Sequence, residues 1–187
     1  IIITLAMFFS LAGFMAACGS SKTVKSDSTW TVTEKTTVGK LTVQEGAVLA
    51  APEGYLLTMT VNGVETPIRA GEYTGEVVLT PTKRIGKALY NGKMTKGENI
   101  DYRAGLFVDA GRVVEESSVL SALVGGVYDG TSASGITITS ENGLFNGIII
   151  NDTNYTVSDV KMTANGPGGN DFLGYGAGIA VTGTSNV

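Results

Sequence analysis

GITITSENGLFNGIIINDTNYTVSDVKMTANGPGGNDFLGYGAGIAV, from Gly135 to Val181, carries the clearest periodic pattern in the chain. Pairs of apolar residues at alternate positions recur in it at a constant spacing: Ile136 and Ile138, Ile148 and Ile150, then Val160 and Met162. Gly178-Ile179-Ala180-Val181 repeats Gly147-Ile148-Ile149-Ile150 at a distance longer than one coil, the distance from Ile136 to Val160, because the Gly-rich insertion 166–174 lies between them. A fixed period of this kind predicts a solenoid, with strands 136–138 and 148–150 of one coil stacked on strands 160–162 and 179–181 of the next.

The stack also predicts which side chains point inward. Because side chains alternate between the two faces of a strand, eight apolar residues should form one continuous core, and Lys161 should face solvent. These eight residues are Ile136, Ile138, Ile148, Ile150, Val160, Met162, Ile179 and Val181.

Composition supports an all-β chain and excludes some functions. The 187 residues include 26 Gly and 4 Pro, which suit dense turns, and no His, the commonest general base and metal ligand. Residues 113–187 hold one basic side chain, Lys161, against seven acids, within a formal net charge of −4 for the whole chain. An acidic solenoid offers no surface that could release counterions from nucleic acid, so we expect no nucleic-acid partner. We also expect no cofactor.

The chain begins with an apolar run, IIITLAMFFSLAGFMAA (1–17), directly before Cys18, its one cysteine. The run resembles the hydrophobic region of a bacterial lipoprotein signal peptide, with Met15-Ala16-Ala17-Cys18 as lipobox, although Met15 replaces the usual Leu. The resemblance implies lipidation of Cys18, attachment to a membrane through that lipid, and a position in the cell envelope or at the cell surface. The alternatives are a transmembrane helix, for which the run 1–17 is marginal in length, and an uncleaved secretory peptide.

The rest of the chain divides into three further regions. We expect a flexible tether over 18–29, with Ser20–Ser28 disordered, a β-rich N-terminal cap over 30–129, and the first coils of a β-helix over 130–187. Within the cap, Asn62-Gly63 predicts a hairpin, because a type I′ turn needs positive φ at both central residues. A separate small β-sandwich is the alternative to the cap, and Val113–Val124 is compatible with either a short helix or a strand.

Two groups of residues could carry chemistry. The insertion 166–174 nearly fits the calcium-binding nonapeptide of β-rolls, but one copy cannot complete a cage, so a protruding loop is the favoured interpretation. Asp152, Asp159 and Asp171 lie at strand ends and could approach each other as a glycosidase pair does. Strand-end Asp and Asn more often form turns or stack into ladders, and the same holds for Asn151, Asn154, Asn165 and Asn170.

The coils resemble the right-handed parallel β-helix superfamily, often called pectin-lyase-like, over about residues 130–187. The resemblance depends on the period, on strand starts such as Asn146-Gly147-Ile148, and on the stretch GGNDFLGYGAGIAV (168–181), which includes most of the insertion. It implies the fold and not an activity, since Asn151-Asp152-Thr153 scrambles the NTD signature of the polygalacturonases of this superfamily and the GHG and RIK signatures are missing. No catalytic residue can therefore be carried over.

Two functions remain open at this point. The first is a lipid-anchored surface β-helix with a binding, adhesion or structural role, whose partners are glycans, envelope proteins or host-surface proteins. The second is a polysaccharide lyase or glycoside hydrolase whose active site lies beyond these residues. Because the sequence runs from Ile1 to Val187 and stops directly after a coil strand, we expect an N-terminal fragment of a longer protein, one that associates through its uncapped last coil.

The lipobox resemblance predicts that Cys18 is the mature, acylated N-terminus. Cells expressing the chain and fed labelled palmitate should incorporate the label into it, because Cys18 is the one thiol available for acylation. The Cys18→Ser variant should lose the label completely. Label retained by that variant would show that the assignment is wrong.

Overall fold

The computed structural model describes residues 20–85, 101–166 and 174–187 and shows an all-β chain. The strands are β1 (Ser21–Val24), β2 (Thr29–Thr31), β3 (Thr36–Val43), β4 (Val48–Ala50), β5 (Tyr55–Val61), β6 (Val64–Thr66), β7 (Gly71–Lys83), β8 (Arg103–Asp109), β9 (Arg112–Val113), β10 (Leu123–Val124), β11 (Val127–Tyr128), β12 (Ser132–Ser134), β13 (Thr137–Ser140), β14 (Phe145–Asn151), β15 (Thr156–Ser158), β16 (Lys161–Ala164) and β17 (Ile179–Thr182).

The sequence period appears as parallel pairing between strands of residues 130–187, the region we continue to call the coils. Strand β12 pairs with β15 and β13 with β16, so that Ile138 lies opposite Met162. Strand β14 pairs with β17 across the insertion, with Ile148 opposite Ile179. These are the registers that the repeat predicts, and they confirm that the Gly-rich insertion falls between β16 and β17.

The predicted continuous core is only partly correct. Ile136, Ile138, Ile148 and Ile150 are fully buried, and we call these four residues the isoleucine column. Val160 and Met162 are half-buried against the same cluster. Ile179 and Val181, by contrast, are 40% and 45% exposed, because β17 is the last strand of its sheet within the described residues and nothing there covers its outer edge.

Strand β8 adds a third layer that the period did not predict. It pairs in parallel with β14 on the side opposite β17, placing Leu106 beside Ile148 and Val108 beside Ile150. Glycine permits close approach in this sheet, since a Cβ on Gly147 would overlap the carbonyl oxygen of Gly178. The strands of the four-stranded sheet β17-β14-β8-β9 can therefore lie close to one another.

The N-terminal part forms an antiparallel sheet joined to the coils. Strands β3, β7, β5 and β6 lie side by side in that order, and we call them the hairpin sheet. The hairpin predicted at Asn62-Gly63 is confirmed, because β5 and β6 pair around it and both residues have positive φ, 51° and 79°. Strand β6 also pairs in parallel with β13, which links the hairpin sheet to the coils.

The disordered linker predicted over Ser20–Ser28 is wrong for the described residues. Strand β1 pairs in parallel with β3, Val24 is 3% exposed, and Lys22 lies 4.7 Å from the ring centroid of Trp30. Ordered structure therefore begins before Trp30, because buried Val24 and the ladder to β3 outweigh the polar composition of the segment.

The segment from Val113 to Val124, which the sequence left open between helix and strand, combines short elements. Single-turn 3-10 helices occupy Glu115–Ser117 and Leu120–Ala122, followed by β10. In the part of the chain that the structure describes, no helix is long and apolar enough to cross a membrane. The apolar run 1–17 and Cys18 lie outside the described residues.

Burial of the isoleucine column leads to a stability prediction. Ile148→Asp should lower the free energy of unfolding by roughly 3 kcal/mol or more, because it leaves an unpaired charge in an apolar site. The matched control is Ile179→Asp, one strand further on, where the 40% exposed position should cost under about 1 kcal/mol. Urea denaturation followed by circular dichroism measures both. Equal midpoints for Ile148→Asp and the parent chain would contradict the assigned burial.

Candidate functional site

Two of the aspartates that the sequence singled out, Asp152 and Asp159, lie in turns. Asp152, in a left-handed turn at φ 49°, accepts hydrogen bonds at Oδ1 from the backbone N–H of Thr184 (3.0 Å) and from its hydroxyl (3.3 Å). Asp159 has φ 53° between β15 and β16 and is exposed. Asp171 lies outside the described residues. The geometry of the first two matches the structural interpretation of strand-end aspartates and not an acid–base pair.

Polar side chains stack at the ends of the neighbouring strands β8, β14 and β17. Asn151 is 4% exposed and donates through Nδ2 to Oδ1 of Asp109 at 2.8 Å, and the hydroxyl of Thr182 donates to Oδ1 of Asn151 at 2.7 Å. Asn154 and Asn186 form a second such contact at 2.9 Å. These ladders confirm the interpretation of Asn151 and Asn154 as structural, since their polar groups are used within the stack.

The backbone of Asn165 donates to the carbonyl oxygen of Ser140 at 2.8 Å, which is also a structural role. Asn170 and most of the insertion, residues 167–173, lie outside the described residues. Among residues 20–85, 101–166 and 174–187, no group of three or more His, Cys, Asp or Glu side chains could hold a metal ion.

The strongest candidate site is a cleft of about 390 Å³ where the hairpin sheet meets the coils, and we call it the junction cleft. Its walls come from the end of β4 and the loop after it, from the first half of β5, and from the end of β6. Arg103 at the start of β8 and Asn142 after β13 complete the lining. Five different segments of the chain converge here, which local sequence patterns could not indicate.

Glu65 is the buried acid of the junction cleft. It is 2% exposed, and its carboxylate accepts a short hydrogen bond, 2.5 Å, from the hydroxyl of Ser140, which is itself fully buried. Burial raises the pKa of Glu65, because desolvation outweighs the hydrogen bond from Ser140 and the charge of Arg103. The contact joins β6 of the hairpin sheet to β13 of the coils.

Arg103 faces Glu65 without forming a close ion pair with it. Desolvation lowers the pKa of Arg103, although the charge of Glu65 opposes that change. Within the described residues the buried Nε of Arg103 has no hydrogen-bond partner, and the same is true of the hydroxyl of Thr58, a residue that is 2% exposed. Buried polar groups without partners cost roughly 1–3 kcal/mol each, so they mark places where a guest molecule or water would be stabilised.

Sequence reasoning did not single out Glu65, Arg103 or Ser140. One feature could have indicated Glu65: the hairpin at Asn62-Gly63 places it opposite Thr60 on a buried face, where an acid is unusual. Arg103 and Ser140 give no comparable indication, because their proximity depends on pairings between strands far apart in the chain.

Tyr155 and Asp129 form a second polar cluster, which supports a loop. The Tyr155 hydroxyl lies within hydrogen-bond distance of the carbonyl oxygens of Ser132 (2.7 Å) and Asp129 (3.0 Å), and burial with the nearby Asp129 charge raises the pKa of Tyr155 to about 12. Hydrogen bonds from Thr131 and Ser132 lower the pKa of Asp129. These hydrogen bonds hold the loop from Asp129 to Ser132 against Tyr155, which is a structural role.

Comparison of the chain with protein-family models, with curated proteins and with solved structures returned no significant match in any of the three.

The raised pKa of Glu65 predicts a pH-dependent stability. A carboxyl with a raised folded-state pKa stabilises the fold most below its unfolded pKa, and that contribution is lost as pH rises through the folded pKa. Glu65→Gln keeps hydrogen-bonding capacity toward Ser140 and removes the buried charge. At pH 7 it should raise the thermal midpoint by about 2–4 °C, the shift that about 1 kcal/mol produces in a chain of this size.

The same experiment includes its control. Below the unfolded pKa of a glutamate, the Glu65→Gln variant and the parent should melt alike, because the parent carboxyl is then protonated. Exposed Glu72, replaced by Gln, should leave the pH profile of the parent almost unchanged. A Glu65→Gln variant less stable than the parent at pH 7 would contradict a net cost of the buried carboxylate.

Proposed function

We propose that this chain is a lipid-anchored protein of the bacterial cell envelope, built on a right-handed parallel β-helix similar to the pectin-lyase-like superfamily, and that it binds partners through the junction cleft. The lipobox resemblance at Cys18 supports the anchor and the surface location. The proposal assigns a binding and adhesion role and no catalytic step.

Repeated pairing supports the β-helix. Ser132 lies opposite Thr156 and Thr137 opposite Lys161, so the two pairs share one offset along the chain, with apolar residues inside and hydroxyl side chains outside. The first strands also pair at a common offset, since Ser21 lies opposite Lys40 and Thr29 opposite Val48. Parallel connections of this kind are almost always right-handed, which supports the handedness.

The observation that carries the binding role is the pair of unpartnered buried groups in the junction cleft. Fully used polar clusters, such as the one at Tyr155, stabilise a fold and leave nothing for a ligand. Thr58 and Arg103 line the cleft beside apolar walls, and within the described residues the buried Thr58 hydroxyl and Arg103 Nε have no hydrogen-bond partner. A concave site with a few convergent polar groups is the usual form of a binding site.

Surface display tests this proposal. Bacteria that express the full chain should expose it to added protease, and they should adhere to at least one immobilised glycan or host-surface protein. Arg103→Gln should reduce adhesion at least tenfold, because it removes the cleft guanidinium. Arg112→Gln, at an exposed position outside the cleft, is the matched control and should adhere like the parent.

Two results would contradict the proposed function. One is a chain that stays inaccessible to protease on intact cells, which would exclude the surface location. The other is equal adhesion by the Arg103→Gln and Arg112→Gln variants, which would exclude the junction cleft as the binding site.

A further inference from the structure

The junction cleft lies along a strand edge that has no neighbour among residues 20–85, 101–166 and 174–187. Strand β5 pairs with β7 along its whole length, but on its other side β6 covers only Met59–Val61. The backbone N–H of Asn62 donates to the carbonyl oxygen of Glu76, and the carbonyl oxygen of Gly54 accepts from the backbone N–H of Arg84. Even-numbered residues of β5 therefore direct their N–H and C=O groups toward β7. Odd-numbered Leu57 therefore directs its N–H and C=O toward the uncovered side, into the cleft.

The uncovered space has the width of one strand. Strand β6 lies between β5 and β13 and pairs with both, which sets β5 and β13 about 10 Å apart. Strand β6 ends at Thr66, and Pro67 follows, a residue that cannot donate to a ladder. Beyond that point the position of β6 is taken by the cleft, with Asn142 on its far side.

One wall of the cleft is apolar and the other is polar. Leu49, Leu57 and Ile68 form an apolar wall that belongs to the core of the hairpin sheet. Thr58, Glu65 and Arg103 form a polar wall toward the coils. An extended peptide in the gap would direct one side chain to the apolar wall and the next to the polar wall, because successive side chains alternate.

The unpartnered groups match a peptide backbone. The Nε–H of Arg103 needs an acceptor, which a peptide carbonyl supplies, and the hydroxyl of Thr58 can donate or accept. Leu57 offers one donor and one acceptor at the strand edge. A peptide amide carries one donor and one acceptor per residue in a repeating order, so an added strand satisfies these groups together.

We propose that the junction cleft binds an extended peptide segment of a partner protein as an added strand that continues the line of β6. The paired segment spans about four residues, the length of β5 that β6 leaves uncovered, and it alternates apolar with small polar side chains. This inference rests on the proposed function, since it takes the cleft as the binding site and names the class of partner.

The test uses the full chain in mild detergent and a pool of fluorescent, blocked pentapeptides. Positions one, three and five vary among Val, Leu and Ile, and positions two and four vary among Ser, Thr and Asn. The control pool has the same side chains but is N-methylated at the three central amides, which prevents strand pairing. Fluorescence anisotropy should show binding of the first pool at least tenfold tighter than binding of the second.

Protein variants localise the peptide. Arg103→Gln and Thr58→Val should each weaken binding of the first pool by about fivefold or more, since each loses a hydrogen bond in a buried site. Arg112→Gln should bind like the parent. Hydrogen exchange at the Leu57 amide should slow on peptide addition, whereas that of the already paired Val61 should not change.

Equal binding of the two pools, unchanged exchange at Leu57, or full binding by the Arg103→Gln variant would overturn the inference. The two experiments together distinguish failure of the peptide inference from failure of the proposed function. If surface-displayed chain adheres to a glycan through Arg103 and no peptide binds, the binding function stands and the peptide assignment fails. If neither adhesion nor peptide binding depends on Arg103, both fail.

Discussion

The fold depends on the burial of strand β14 from Phe145 to Asn151, every residue of which is buried. Ile148 and Ile150 contribute to the core of the coils, while Ile149 packs on the other face with Phe107 and Tyr102. Two apolar clusters therefore meet at this strand. A strand that is buried on both faces and paired in parallel on both edges is usually a nearly continuous apolar run, which explains the three consecutive isoleucines at its centre.

The sequence predicted the registers of the coils because one pattern repeats with a fixed period. It did not predict that β8 pairs with β14, since the distance along the chain from Arg103 to Phe145 is no multiple of that period. A signal was nevertheless present: Gly105-Leu106-Phe107-Val108 has the same order of glycine and apolar residues as Gly147-Ile148-Ile149-Ile150. Glycine at the third position of each strand allows the close approach of the neighbouring backbones.

The junction between the hairpin sheet and the coils could not be predicted in the same way. It is a polar layer, with the hydroxyls of Thr60 and Ser121 3.0 Å apart and Glu65 bonded to Ser140, residues separated by 61 and 75 positions. Hydrophobic periodicity carries no information about such contacts. The same layer accounts for the cleft, because β6 ends before Pro67 and the layer is not filled beyond it. Among the residues that the structure describes, the Thr58 hydroxyl and the Arg103 Nε have no partner there.

The most direct test of this account is amide hydrogen exchange of the native chain, followed residue by residue with NMR. If β14 is the most protected strand, the amides of Ile148, Ile149 and Ile150 should exchange slowest and only through global unfolding. The amide of Ala180, in edge strand β17, should exchange markedly faster. Exchange of the three β14 amides as fast as that of Ala180 would contradict the central position of this strand.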